Sequence, residues 1–413
     1  MHIRKSRLVV RFLVLGLLYF PGRANSTVEL SDFISVIKQE SVYRYSDEEL
    51  AELKECMLKR AFFSIEITKE TNFTDDFKVE SCNKKDKYAR YLSPEEAKQF
   101  NETRNGKFFG IGVQIKFVDR KGLLIEKILP GGPAEKGGLL QKGDIITAVG
   151  DVPDSLKPLK DITYNQAVAL IRGEENTYVH ISVERGDKTL TFNLARGPVV
   201  MGKEVKSKVL KPQIGYLKLK GFEQERTDED MKNELESLRN QGVRNLIFDL
   251  RNNPGGLFDV SLRVLELFVR KSGLRMVEDR RISSSVKYNS KRRGPFADWK
   301  IVLLVNENSA SASEIVAGVL KGWGNKIIGT KTYGKGCGQT PFFTENGGLF
   351  IVTTFKYYFA DNSTPDEVGV TPDIVVENDK KTSRSAEEED DPNPAGDKQL
   401  DAAIKYLESG KLN

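Results

Sequence analysis

Histidine is nearly absent from this chain. Among 413 residues only His2 and His180 occur, so neither a cluster of imidazole metal ligands nor a serine–histidine–aspartate triad can be built without one of those two. Cysteine is also scarce. Cys56, Cys82 and Cys337 are the only three, which excludes a disulfide-rich scaffold. A one-sided charge is missing: Lys+Arg 64 less Asp+Glu 59 leaves +5, too little over this length to mark a nucleic-acid-binding surface. No stretch reaches 18 apolar residues, the length that begins to span a bilayer. The motif HExxH is absent, and Gly131-Gly132 and Gly255-Gly256 lie outside any GxGxxG or GxxxxGK[ST] context, so neither a metal, a nucleotide nor another cofactor is expected. What remains is ordinary: 39% hydrophobic and 30% charged residues, in a chain long enough for two to three domains and at least one large core.

The amino terminus has the order of an export signal. His2, Arg4, Lys5 and Arg7 precede the apolar run Phe12 to Phe20, and Pro21-Gly22-Arg23-Ala24 ends in a small residue. That predicts a signal peptide over 1–24, with an uncleaved anchor or a buried terminal helix as the alternatives. Asn25, Asn72, Asn101 and Asn362 stand in glycosylation sequons that matter only in a eukaryotic secretory route. Residues 25–105 read as a helical region. Ser46 and Glu49 form a capping box ahead of Leu50, Leu53, Met57 and Ala61, and Ser93-Pro94-Glu95-Glu96 is a second helix start. The apolar stripe suits a packing arm or a homodimer contact.

Residues 106–198 read as a compact β-rich unit. Val113 to Phe117 and Leu123 to Ile128 alternate as strands, Pro133 opens a short helical turn, Thr163 to Ile171 is helical, and Val179 to Val183 and Leu190 to Leu194 flank the turn at Arg185-Gly186-Asp187. With Phe109-Gly110-Ile111-Gly112, Gly132-Pro133-Ala134 and Gly143-Asp144-Ile145-Ile146 in this order, the unit resembles a PDZ domain. The resemblance implies that Phe109, Gly110, Ile111 and Gly112 hold a peptide's carboxy terminus on backbone N–H groups, with the peptide added as a strand. His180 falls in an alternating strand and reads as structural.

Residues 199–380 read as an α/β core. Gly215 to Leu219, Leu246 to Leu250, Ile301 to Val305 and Ile327 to Gly329 are short apolar strands alternating with helices, as in a sheet covered on both faces. Residues 381–413 hold an acidic linker and a closing helix from Gln399 to Leu407. Loops after strand carboxyl ends are where such folds place chemistry. Two lie there: Asn253-Pro254-Gly255-Gly256, and the serines Ser309, Ser311 and Ser313. A serine at a helix start is either a cap or a nucleophile beside free N–H groups. A nucleophile needs a base, and without histidine the glycine-framed Lys335 in Tyr333-Gly334-Lys335-Gly336 is the candidate, effective when burial lowers its pKa. Lys331, which lacks the glycine frame, is the alternative.

Taken with Ile214-Gly215-Tyr216-Leu217, Asp249 to Gly256, Gly369-Val370-Thr371-Pro372-Asp373 and Tyr91 to Glu96, these motifs resemble the carboxy-terminal processing (tail-specific) proteases, Ser–Lys peptidases with an inserted PDZ domain. The resemblance implies a multidomain fold: an α/β protease core with a PDZ insertion and a helical amino-terminal arm. It implies Ser311 as nucleophile, Lys335 as base, Gln339 as the residue supporting that lysine, and an oxyanion hole from Ala312 with Gly255 or Gly256. Cys337 stands where the family usually has a polar side chain, and Tyr358 to Asn362 departs from the family wording. The function implied is a serine endopeptidase, exported to a periplasm or an extracellular space, acting near the free apolar carboxy termini of proteins. A catalytically silent PDZ adaptor is the alternative. A conventional α/β hydrolase is disfavoured because the GxSxG elbow is absent.

Overall fold

The computed structural model describes residues 30–65, 82–118, 121–160, 162, 164–270, 273–280, 285–290, 292–378 and 396–410. The expected signal segment, the sequons at Asn25 and Asn72, and the acidic linker lie outside them. No described helix is long and apolar enough to cross a membrane.

The chain begins with α1 (Leu30–Glu40) and α2 (Asp47–Ile65). The box read at Ser46 forms: its hydroxyl accepts the Glu49 N–H at 3.1 Å, and Glu49 accepts the Ser46 N–H at 2.7 Å. After β1 (Arg90–Leu92), α3 (Pro94–Asn105) starts in the same way at Ser93 and stops at Gly106 in the left-handed conformation.

An inserted unit follows. It runs through β2 (Lys107–Gly110), β3 (Val113–Val118), β4 (Gly122–Ile128), α4 (Pro133–Gly137), β5 (Ile145–Gly150), β6 (Lys157–Pro158), α5 (Tyr164–Ile171), β7 (Tyr178–Arg185), β8 (Lys188–Ala195) and β9 (Gly197–Val200). Its sheet has the order β3-β4-β5-β7-β8, so β3 is an edge strand. Strands β2 and β9 pair antiparallel, and Met201 N–H donates to Gly106 O at 2.9 Å, so the unit enters and leaves the protein through one two-stranded ribbon.

The core alternates β10 (Val205–Lys211), β11 (Ile214–Leu219), α6 (Thr227–Asn240), β12 (Asn245–Asp249), α7 (Phe258–Glu266), β13 (Gly273–Arg280), β14 (Val286–Ser290), β15 (Lys300–Val305), α8 (Ala312–Gly322), β16 (Lys326–Gly329), β17 (Cys337–Phe343), β18 (Leu349–Phe359), β19 (Ile374–Val375) and α9 (Lys398–Ser409). The four strands read from the sequence, β11, β12, β15 and β16, run parallel in that order, with the short β19 added parallel at one end and β10 antiparallel at the other. Both faces are covered, which explains the continuous apolar runs. Leu246, Phe248, Leu303 and Val305 face the core with α6 to α8, while Ile247, Val302 and Leu304 meet Leu400, Ala403 and Leu407 of α9.

A second, antiparallel sheet was not legible in the sequence. Its order is β1-β18-β13-β14, with β17 on the other edge of β18. The apolar residues of α1 and α2 pack here: Phe33, Ile37, Leu50, Leu53 and Met57 bury against Phe350 and Val352 of β18. The arm is thus a packing element of its own chain. The structure also pairs Cys56 with Cys82 across a sequence separation of 26. Closing a loop of that length contributes about 3 kcal/mol by restricting the unfolded chain. Reduction of the full chain is expected to lower its unfolding free energy by about that much, measured by urea unfolding with and without reductant; coincident curves would contradict it.

Candidate active site

The three serines of the 309–313 run are not equivalent. Ser309 is fully buried and its hydroxyl donates to Leu250 O at 2.8 Å; Ser313 is fully buried and donates to Asn253 O at 2.9 Å. Both staple the serine loop to the loop after β12. Ser311 is part exposed and precedes α8. Its backbone has φ 55° and ψ −113°, a conformation that non-glycine residues rarely hold and that costs of order 1–3 kcal/mol.

Glu314 holds that backbone in place. This fully buried carboxylate accepts four hydrogen bonds. Oε2 takes the N–H of Ser311 at 2.9 Å and of Lys335 at 2.8 Å. Oε1 takes the Gly334 N–H at 2.7 Å and the Thr332 hydroxyl at 2.6 Å. Tyr357, on β18, repeats the join from the other side: its hydroxyl meets Lys335 O at 2.7 Å and Ser311 O at 3.2 Å. The serine loop of the parallel sheet and the lysine loop are therefore fastened to each other by two side chains.

Lys335 is largely enclosed. Burial pushes its ammonium down from the ordinary lysine value, Arg90 adds to this, and Cys337, Asp86 and Glu314 oppose it. Nζ lies 4.4 Å from the centre of the Tyr88 ring. The other candidate, Lys331, is exposed. Gln339 does not rest free beside the lysine: its amide nitrogen donates to Thr353 Oγ1 at 3.1 Å and approaches Cys337 Sγ at 3.6 Å. Burial raises the buried Cys337 thiol to about 11, so it stays protonated at neutral pH. On the far flank Asp366 accepts the Gly336 N–H at 3.2 Å and Lys356 Nζ at 2.7 Å.

The loop after β12 lies directly opposite. Gly255 has φ 102°, and a Cβ there would stand 2.9 Å from Ser311 Cβ and 3.0 Å from Ala312 N, so only glycine fits. Its own N–H donates to Asn253 Oδ1 at 2.9 Å. The N–H groups of Gly256 and Ala312 have no acceptor among the described residues. Below this loop, burial alone would raise the Asp249 carboxyl, but Arg251 and Lys218 outweigh it and hold it well below the usual range. Arg251 also reaches Asp397 at the start of α9 at 2.8 Å, which fixes the loop's base.

In the inserted unit, Gly110 pairs with Gly197 in the ribbon and Phe109 is half-buried. The Ile111 side chain belongs to that unit's core, so only its backbone is available to a ligand. The carbonyls of Ile111 and Gly112 accept from Ala134 and Leu129. Their N–H groups have no acceptor among the described residues. His180 lies in β7, in register with Gly150 and Asn193. Glu314 stood in the serine motif without a role, whereas Tyr88, Asp86 and Tyr357 carried no local signal, because only tertiary contacts bring them to the lysine: Tyr357 lies on β18, and Asp86 is bonded to Thr353 of the same strand. Among the described residues, no group of acidic, histidine and cysteine side chains is arranged to hold a metal.

Comparison with known proteins bears on the same regions. The family model described as peptidase family S41 matches residues 213–376, and that of the PDZ domain matches residues 99–184. A protein named "Probable CtpA-like serine protease" from Staphylococcus haemolyticus is 32% identical over 331 residues, covering 79% of this chain and 64% of that protein. One of the same name from Staphylococcus epidermidis is 33% identical over 301 residues, covering 72% and 59%. The chain thus spans about three fifths of the length of these relatives. A solved photosystem II D1 C-terminal processing protease is 25% identical, with a TM-score of 0.47 over 84% of this chain and 92% of that one.

Proposed function

From the match of residues 213–376 to peptidase family S41 we propose that the chain is a serine endopeptidase of that family that captures a polypeptide by its free carboxy terminus and cuts a bond upstream. The observation that carries this reading is the Glu314 carboxylate, which joins the backbone of Ser311 to that of Lys335. An adaptor without catalysis would have no use for a strained serine clamped to an enclosed lysine.

In this reading neutral Lys335 takes the Ser311 hydroxyl proton as the oxygen attacks the peptide carbonyl. The developing oxyanion is met by the N–H groups of Ala312 and of Gly255 or Gly256, Gly256 being the unengaged one. The lysine ammonium then protonates the leaving amine, and water attacks the acyl-enzyme with the same lysine as base. Activity falls as pH drops through the lysine's lowered pKa, because only the neutral amine accepts the proton. Gln339 orients that lysine from beside Thr353.

The PDZ unit would take the substrate's carboxylate on the N–H groups of the 109–112 loop, with an extended, apolar tail lying along the open edge of β3. Its ribbon also supports a gating role. Gln224 reaches back to Gly202 O at 2.9 Å, and two residues earlier Phe222 bonds Gly255 O at 2.9 Å, so the ribbon's base and the oxyanion loop share one segment. Export fits the basic–apolar amino terminus and the Cys56–Cys82 disulfide, a bond that persists in oxidising compartments.

The test is cleavage of an unfolded polypeptide with an apolar carboxy terminus, beside the same polypeptide amidated there, with fragments identified by mass spectrometry. The free form should be cut at least about tenfold faster, since an unpaired carboxylate site loses a charged hydrogen bond. Binding that depends on the free carboxylate with no cleavage of either form would instead establish the adaptor.

A further inference from the structure

The aromatic wall over Lys335 comes from the amino-terminal segment, far away in sequence, and that segment is tied down along its length. Asn83 Oδ1 accepts the Asp86 N–H at 3.0 Å and the Tyr45 hydroxyl at 2.7 Å. The buried Asp86 carboxylate accepts the Tyr88 N–H at 3.1 Å, and the N–H and hydroxyl of Thr353 at 3.0 and 2.8 Å. Thr353 Oγ1 in turn receives the Gln339 amide. Cys82, joined to Cys56, anchors the start of the segment to α2. The result is a hook that sets the Tyr88 ring against Nζ of Lys335 at 4.4 Å.

Resting on the Ser–Lys reading above, we propose that Tyr88 is a positioning residue for the base: its ring covers the Lys335 amine, excludes water from it and holds Nζ in one place. Two effects act in opposite senses. The ring face attracts an ammonium, while loss of water penalises it. Burial is the larger, in keeping with the lowered lysine. The other groups around the amine are Cys337 on β17, Arg90 on β1, Asp86 on the hook and Glu314 on α8. Lys87 Nζ lies 5.1 Å from the same ring. Burial raises the Tyr88 phenol above its usual value, so the ring is neutral throughout the working range. It acts through its face and its bulk.

The experiment compares wild type, Tyr88→Ala, Tyr88→Phe and Asn83→Ala in the full chain. It records the pH dependence of kcat/KM and, separately, Lys335 dimethylation by formaldehyde and cyanoborohydride against pH, read by mass spectrometry. In Tyr88→Ala the acid limb should move to higher pH. Cleavage at pH 7 should fall about tenfold, mostly in kcat, a part of the 10²–10⁴ that a general base supplies. Lys335 labelling should move toward that of exposed Lys331. Tyr88→Phe should restore both profiles, and Asn83→Ala, which loosens the hook while keeping the ring and the Asp86 charge that raises the lysine, should shift them in the same direction as Tyr88→Ala. Limbs and labelling that overlay wild type in both Tyr88→Ala and Asn83→Ala overturn the proposal. Because labelling does not need turnover, it decides the point even if Ser311→Ala and Lys335→Ala controls show that the peptidase reading itself is wrong.

Discussion

Ser311→Gly is expected to abolish cleavage and, at the same time, to make the protein more stable. The loss follows from removing the nucleophile. With no other activated hydroxyl in place, kcat should fall by about 10⁴ or more, leaving only what binding and the oxyanion donors provide. The gain follows from the backbone. Ser311 sits at φ 55°, where glycine is at ease and serine is not. Relief of that strain, less the extra freedom glycine has when unfolded, should leave a net stabilisation of about 1 kcal/mol. Lys335→Ala should match the loss of activity without the gain. Denaturant unfolding beside single-turnover cleavage tests both halves. A glycine variant that is inactive and also less stable would mean that the backbone at this position is not strained.

The second large effect is expected at Glu314, which contacts no substrate in the reading above. Glu314→Ala removes one acceptor group from four donors, two of them on the backbone of the lysine loop and one on Ser311. Leaving buried donors unpaired costs about 1–3 kcal/mol each, and breaking a buried charged group's contacts about 3–5 kcal/mol in total. That is a large share of a typical folding stability. Glu314→Gln keeps the shape but turns an NH2 group toward some of those same donors, so it should also destabilise. In the fraction that remains folded, kcat should drop more than KM rises, because the serine and lysine lose their common tie while the PDZ unit is untouched. Equal kinetics and an unchanged unfolding midpoint for Glu314→Gln would show that the carboxylate is not the joint.

The parts of the fold that were legible are those whose causes are local. Ser46 and Ser93 announce α2 and α3 through reciprocal bonds three residues apart. The apolar strands β11, β12, β15 and β16 announce a sheet covered on two faces. The antiparallel sheet gave no comparable sign. Its long strand β18 is uniformly apolar and aromatic over its first half, because α1, α2 and α3 cover different parts of it, so no alternation marks it. Strand β17 contains Gly338 and Pro341, which weaken a strand signal and are tolerated here because it is an edge. Strand β1 has three residues and exists only through its pairing with Leu349 to Ile351.

The site divides in the same way. The loops of Ser311, Lys335 and Gly255 stood out because glycines and small residues cluster there after strands, and the structure sets all three together. That Ile111 contributes no side chain to a ligand was hidden, since the sequence shows an apolar residue and not the direction in which it is buried. The disulfide was hidden too, because two cysteines 26 residues apart carry no pairing signal by themselves.

The hook that bears Tyr88 also fixes an order of events. Asp86 grips Thr353, and the two are separated by 267 positions in the chain. Synthesis runs from the amino end, so Tyr88 emerges long before the strand it must hold. The lysine pocket therefore cannot close on a partly made chain, whatever its earlier domains have already folded into. A nascent or threading polypeptide carries the serine without a shielded base until its first and last thirds meet.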